Sequence, residues 1–137
     1  IGERFSQIIG VKDSTANLYT ELKIHNFKIF IGSEVRLLEN LKIGGAGLIS
    51  ATANVTSSIA QEVYDSFKKG KTSELNEHLI SVRKVFDKYN LISALHSYKA
   101  QEDSSYKNIL PPLKLLDDLN TKIFFEELKR LKFKKAA

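Results

Sequence analysis

Three short apolar runs punctuate the first part of the chain: QIIGVK (7–12), FKIFIG (27–32) and GAGLIS (45–50), each bounded by glycine or polar positions. Runs of this length with β-branched residues predict buried strands. Between them the spacing changes. NLYTELKIHN (17–26) puts Leu18, Leu22 and Ile24 on one helical face, and EVRLLENLKIGG (34–45) does the same with Val35, Leu38 and Leu41 before Gly44 and Gly45 end the helix. The rhythm is βαβαβ, and connections of this length suit crossover helices, so the strands are predicted to be parallel.

Beyond residue 50 the strand signals stop. Ser58 and Gln61 have capping-box spacing ahead of a helix carrying Ile59, Val63 and Phe67, which is predicted to end at Gly70. Thr72 can cap a second helix, in which Leu75, Leu79, Val82, Phe86 and Tyr89 recur at intervals of three and four. LISALHSYKAQE (91–102) follows Asn90 as a third helix. Pro111 and Pro112 then interrupt helix formation, and Asp117 or Asp118 caps a last helix with Leu119, Ile123, Leu128 and Leu131 inward. The predicted division is an α/β segment over 1–56 and a helical region over 57–137.

Composition narrows the chemistry. At 137 residues and 42% hydrophobic, the chain can bury a real core. It has no cysteine, which excludes a disulfide scaffold, a thiolate nucleophile and Cys-ligated metal, and His25, His78 and His96 are scattered. Neither a cofactor nor a metal is expected. With no apolar run long enough to span a bilayer and no signal-like N-terminus, the expectation is a cytoplasmic protein without membrane contact. The net charge is +5, yet five of the basic residues crowd into KRLKFKK (129–135) and only four in the whole chain are arginine. That distribution predicts a solvated helix end rather than a nucleic-acid surface. Methionine is absent even at position 1, which predicts a piece of a longer protein or a processed product.

Parallel α/β folds carry their chemistry at the C-terminal ends of strands. Those ends read VKDST, IGSE and LISATAN. IIGVKDSTANL, then FIGSEVRLLENLKIGGAGLISATANV, then PPLKLL resembles the C-terminal half of the dihydrodipicolinate synthase / N-acetylneuraminate lyase family, class I pyruvate-type aldolases. The resemblance covers nearly the whole chain. It implies strands six to eight of a (β/α)8 barrel followed by a helical region, a homo-oligomeric whole protein, and small-molecule 2-oxo acid and aldehyde substrates.

By the same resemblance Lys12 forms the Schiff base with pyruvate or a related 2-oxo acid. Residue chemistry agrees on what such a lysine needs. Only a neutral amine attacks a ketone, and lysine in water, with a reference pKa of ~10.4, is almost wholly protonated at pH 7. Apolar surroundings favour the neutral amine, and Ile8, Ile9 and Val11 are of that kind. The resemblance also implies substrate contacts at Gly32, Ser33 and Glu34 on the seventh strand and at Ile49 and Ser50 on the eighth. Members that cleave sialic acid carry a second acidic residue where this chain has Val35, and a glycine and serine where it has Ser50 and Ala51, so a nine-carbon sugar acid is not the expected substrate. Gly44, Gly45 and Gly47 are expected only to permit a tight helix-to-strand turn.

The family's proton-relay tyrosine and carboxylate-binding turn would precede Ile1, and Tyr19, Tyr64, Tyr89, Tyr98 and Tyr106 lie in helical or linker patterns. The segment alone is therefore expected to be inactive and prone to self-association through unpaired strand edges. Two other readings stay open: a 2-keto-3-deoxy sugar acid aldolase, and a non-catalytic helical binding module with a basic tail.

Overall fold

A computed structural model describes residues 4–134 apart from Ala16, Lys23 and Thr72, and the side chains of Leu18 and Tyr19 also lie outside the description. The expected cap at Thr72 and the side chain of Leu18 on the expected helical face therefore lie outside the described residues. Strand β1 spans Gly10–Asp13, β2 spans Lys28–Ile31 and β3 spans Gly47–Leu48. They form one parallel sheet in the order β1-β2-β3, with Lys12 opposite Phe30 and Phe30 opposite Gly47.

Each strand lies within or beside its predicted run but is shorter. Ile8 and Ile9 precede β1 and are exposed, as is Lys12. The expected apolar shelter around Lys12 is thus open in this chain, because the sheet face carrying it is not covered. Alternation explains which face that is. Asp13, Ile31 and Leu48 are in register and point toward the helices, where Asp13 and Ile31 are buried and Leu48 packs with the α2–α3–α4 cluster. Lys12, Phe30 and Gly47 take the opposite face.

The first crossover is looser than predicted. Helix α1 is a single turn, Leu18–Glu21. Thr20, Ile24, His25 and Asn26 are all weak helix formers, and Asn26 adopts φ 58, reversing the chain into β2. The second crossover begins as a 3₁₀ turn, Glu34–Arg36, and continues as α2, Leu37–Lys42. Its buried face is Leu37, Asn40 and Leu41, displaced from the predicted Val35/Leu38/Leu41 stripe by the tighter first turn.

Helix α3 runs Ala53–Lys68 with Thr52 at its N-cap, so Ser58 and Gln61 lie inside it rather than at its start. Gly70 follows its end with φ 69, as predicted for the stop. Helix α4, Leu75–Phe86, buries Leu79, Val82 and Phe86 as its periodicity predicts. Asn90 caps α5, Leu91–Lys99, by accepting a hydrogen bond from the Ser93 amide. Asp117 caps α6, Asp118–Arg130, in the same way through Asn120. The inward face of α6 is Phe124 and Leu128; Leu119 and Ile123 are exposed.

These helices share an aromatic core. Phe86 meets Phe124 edge-on at 5.0 Å between centroids, Tyr89 meets Phe124 at 5.6 Å, and Val55, Val82, Val85, Ala94, Leu95, Leu128 and Phe133 complete the cluster. A smaller cluster, Leu37, Leu41, Ala60, Val63 and Leu79, joins α2, α3 and α4. Helix α3 therefore bridges the sheet and the helical region.

Candidate active site at the strand ends

The backbone brings the three strand ends together before any side chain acts. Gly32 N–H donates to Asp13 O at 2.8 Å, and Ile49 N–H donates to Ile31 O at 3.0 Å, so the exits of all three strands are laced side by side. Asp13 is buried at 1% exposure and accepts from the Thr15 amide at 3.0 Å and the Thr15 hydroxyl at 2.8 Å, which turns the chain immediately after Lys12.

Gly32 is required by that close approach. A Cβ there would lie 2.9 Å from Ser14 Cα and 3.5 Å from Lys12 Cε, so any side chain would press on the turn and on the lysine stem. Ile49 is two residues beyond Gly47 and, by strand alternation, shares the open face with Lys12; it is 48% exposed. Three of the predicted site residues, Lys12, Gly32 and Ile49, are thus gathered on one face.

Glu34 and Ser50 belong to a different environment. The Glu34 carboxylate is fully buried at 0% exposure. Its Oε2 accepts from Ser50 Oγ at 2.9 Å and from Arg83 Nη1 at 2.7 Å, while Oε1 accepts from the Thr52 hydroxyl and from Thr56 Oγ1 at 3.1 Å. Arg83 Nη1 also donates to Ser50 Oγ at 3.0 Å, and Arg83 Nε donates to Asp87 Oδ1 at 2.7 Å. A carboxylate only accepts, so the Ser50 hydroxyl hydrogen is directed at Glu34. Glu34 itself has no surface on which a substrate could land. Ser33 sits between the two environments, half-buried, before the 3₁₀ turn and without a side-chain cap hydrogen bond.

The charge on Arg83 follows from this setting. Burial works against it, but the hydrogen bonds to Glu34 and Asp87 outweigh that and hold its pKa above the ordinary arginine value. Arg83 Nη1 and the Glu34 carboxylate form an ion pair that is 11% exposed at Arg83 and 0% at Glu34.

Sequence reasoning did not single out Arg83, Thr52 or Thr56. One signal was available: Arg83 is one of four arginines in a chain of 21 basic residues, and it neighbours the inward-facing Val82. Arginine is the side chain suited to a forked, desolvated ion pair. The glycine reading also changes. A Cβ on Gly45 would fall 2.2 Å from the Asn40 side chain, whose amide donates to Ile29 O at 3.3 Å and Gly47 O at 3.2 Å. Gly45 makes room for a buried amide that ties α2 to β2 and β3, beyond shaping a turn. None of the tyrosines whose side chains are described stands on a strand or strand-end turn: Tyr64, Tyr89 and Tyr98 are on or after helices and Tyr106 is in a 3₁₀ turn. A cleft of about 280 Å³ between β3 and α3 is lined by Phe30, Leu37, Gly47, Leu48 and Tyr64 among others, and none of the predicted site residues lines it. Among the described residues no helix is long and apolar enough to cross a membrane.

Comparison with known proteins gives this arrangement a lineage. The model of the Dihydrodipicolinate synthetase family matches residues 3–128. The chain is 29% identical over 140 residues to a 4-hydroxy-tetrahydrodipicolinate synthase of Methanopyrus kandleri, covering 96% of this chain and 46% of that protein. It is 26% identical over 117 residues to a 2-dehydro-3-deoxy-D-gluconate/2-dehydro-3-deoxy-phosphogluconate aldolase of Picrophilus torridus, covering 80% and 44%. The fold is that of dihydrodipicolinate synthase from Aquifex aeolicus, with a TM-score of 0.85 at 19% identity, over 99% of this chain and 49% of that one. The chain spans about half the length of these relatives, and its three parallel strands and flanking helices are part of a (β/α)8 barrel. It belongs to the Dihydrodipicolinate synthetase family.

Proposed function

We propose that this chain supplies the Schiff-base lysine of an aldolase or lyase acting on pyruvate or a related 2-oxo acid, with Lys12 as the nucleophile. The observation that carries the reading is the position of Lys12. It stands at the C-terminal end of a parallel strand, on the sheet face away from the helices, with Gly32 leaving space along its stem. In a closed barrel that face is the interior.

The chemistry follows from the amine. Neutral Nζ adds to the ketone carbon of the 2-oxo acid, the carbonyl oxygen leaves as water after two proton transfers, and a protonated imine remains. Its positive nitrogen withdraws electrons, so the neighbouring carbon can lose a proton and attack an aldehyde as an enamine. In reverse, the same electron sink accepts the pair released when a carbon–carbon bond breaks. Gly32, Ser33, Ile49 and Ser50 frame the space beside that carbon in this proposal. Glu34 enters as the group that holds Ser50, since its own oxygens are enclosed.

Condensation of pyruvate with aspartate semialdehyde, the dihydrodipicolinate synthase reaction, is the favoured activity, in line with the Methanopyrus relative. The Picrophilus relative supports a second reading, aldol cleavage of a 2-keto-3-deoxy sugar acid on the same lysine. The proposal carries with it the division into barrel strands six to eight over 1–56 and a last barrel helix plus helical region over 57–137, and a homo-oligomeric whole protein. A cytoplasmic location is part of the same proposal.

The test uses the protein extended to the length of its relatives. Incubation with pyruvate and borohydride is expected to leave one reduced pyruvate adduct, mapped to Lys12 by peptide mass spectrometry. An adduct on another lysine, or none in a folded protein, overturns the assignment.

A further inference from the structure

We propose that Arg83, on a helix of the C-terminal region, is a positioning residue of this site: it clamps the ends of β2 and β3 through Glu34 and Ser50 and so places Ile49 opposite Lys12. The inference rests on the Schiff-base reading above and extends it to a residue whose side chain reaches the strand ends from α4.

The geometry is that of a clamp. Glu34 leaves β2 and Ser50 leaves β3, and Arg83 Nη1 lies 2.7 Å from the Glu34 carboxylate and 3.0 Å from the Ser50 hydroxyl. The guanidinium is itself oriented from the other side, because Nε is held by Asp87 one turn along α4 at 2.7 Å. The helix that carries it is anchored by Val82 and Phe86, both at 0% exposure, which bracket Arg83. Its position is therefore set by the aromatic core.

The arrangement is also obligatory in charge. A carboxylate with 0% exposure persists only if paired and fully hydrogen-bonded, and Arg83 is the cation that pairs with Glu34. Loss of the fork would free the Ser50 hydroxyl and relax the β3 exit, of which Ile49 is the member on the lysine face. Strand-end backbone can then drift relative to the imine, and about 1 Å of misplacement is enough to cost on the order of 100-fold in rate. An ordinary structural ion pair would leave the kinetics of folded molecules unchanged, which makes the two roles separable.

The experiment uses the protein at the length of its relatives and compares wild type with Arg83→Lys, Ser50→Ala, the two together, and the Glu34→Gln/Arg83→Gln pair, which leaves no lone buried charge. For each, the adduct-forming fraction is titrated with pyruvate and borohydride, and kcat and KM are expressed per adduct-forming site. Lysine keeps the charge but cannot fork between Glu34, Ser50 and Asp87, so Arg83→Lys is expected to form the Lys12 adduct while kcat falls about 10- to 100-fold with little change in KM for the 2-oxo acid. Ser50→Ala is expected to cost nothing further on that background. If Arg83→Lys does not fold, the neutral pair is expected to give the same kcat loss. Wild-type kcat per adduct-forming site in either folded variant, or strict additivity with Ser50→Ala, overturns the inference alone. No adduct in wild type overturns the Schiff-base reading, and this inference with it.

Discussion

Of the fifteen buried apolar residues among those described, only Ile31, Leu37 and Leu41 precede Ala53, and the other twelve lie in α3, α4, α5, α6 and the residues just after α6. The two buried carboxylates, Asp13 and Glu34, have the opposite distribution, both at strand ends. The strand segment buries both carboxylates and few apolar side chains, whereas the helical segment holds most of the apolar core. One consequence is that the strand ends borrow rigidity: Glu34 and Ser50 are held by Arg83, and Arg83 is held by the core around Phe86. The two parts meet at the Glu34–Arg83 ion pair and in the cluster of Leu37, Leu41, Ala60, Val63 and Leu79.

That contrast can be broken first at Lys12. In the protein at the length of its relatives, Lys12→Ala is expected to abolish the borohydride-trapped adduct and lower turnover by on the order of 10³-fold or more, since removing a nucleophile removes the covalent route. Its thermal unfolding is expected to shift by about 1 kcal/mol or less, a small change beside the loss of turnover. A large loss of stability would mean that Lys12 is structural.

The converse substitution is Phe124→Ala. Phe124 is fully buried and packs on Phe86, Tyr89 and Phe125, so truncation is expected to destabilise by about 3–5 kcal/mol in urea unfolding. Kinetics per folded molecule should change far less than stability. A variant with normal stability and reduced turnover would erase the distinction between the two regions.

Gly45→Ala probes the strand segment by packing. The new methyl would collide with Asn40, which ties α2 to β2 and β3, and a cost of about 1–3 kcal/mol is expected. Hydrogen exchange should show it as faster opening at Ala46 and Ile49, whose amides donate to Ile29 O and Ile31 O, with the α4 amides little affected. Uniform acceleration across both regions would mean that they unfold as one unit.

The smallest effect is electrostatic and confined to the helical region. The Asp117 carboxyl is held below the ordinary aspartate value, chiefly by the hydrogen bond from the Asn120 amide at the start of α6. A folded-state pKa below the unfolded one contributes stability that is complete above the unfolded pKa of about 3.9 and is lost as pH falls through the lower, folded value. Asp117→Asn should therefore flatten the acid limb of the urea midpoint below about pH 4 while leaving the midpoint at pH 7 nearly unchanged. An unaltered acid limb would assign that stability to other carboxylates.

What the sequence by itself determined is local in origin. The alternation of strands and crossovers, the placement of Lys12 at a strand exit, and the caps at Asn90 and Asp117 each depend on residues within a few positions of one another, so periodicity and cap chemistry suffice to read them. Tertiary structure decided the rest. In α6, Ile123, Phe124 and Phe125 are adjacent apolar residues, and docking on Phe86 and Tyr89 selected Phe124 and Leu128 for burial over Leu119 and Ile123. Helix α3 begins at Ala53 instead of near Ser58, with Thr52 and Thr56 both donating to a buried glutamate in the 3₁₀ turn after β2. The pairing of Glu34 was not legible in the sequence because the cation enclosing it is distant, on a helix whose own pattern required only Val82 and Phe86. A local pattern records which face of an element is apolar, whereas the partner that neutralises a buried charge is chosen only when the elements pack.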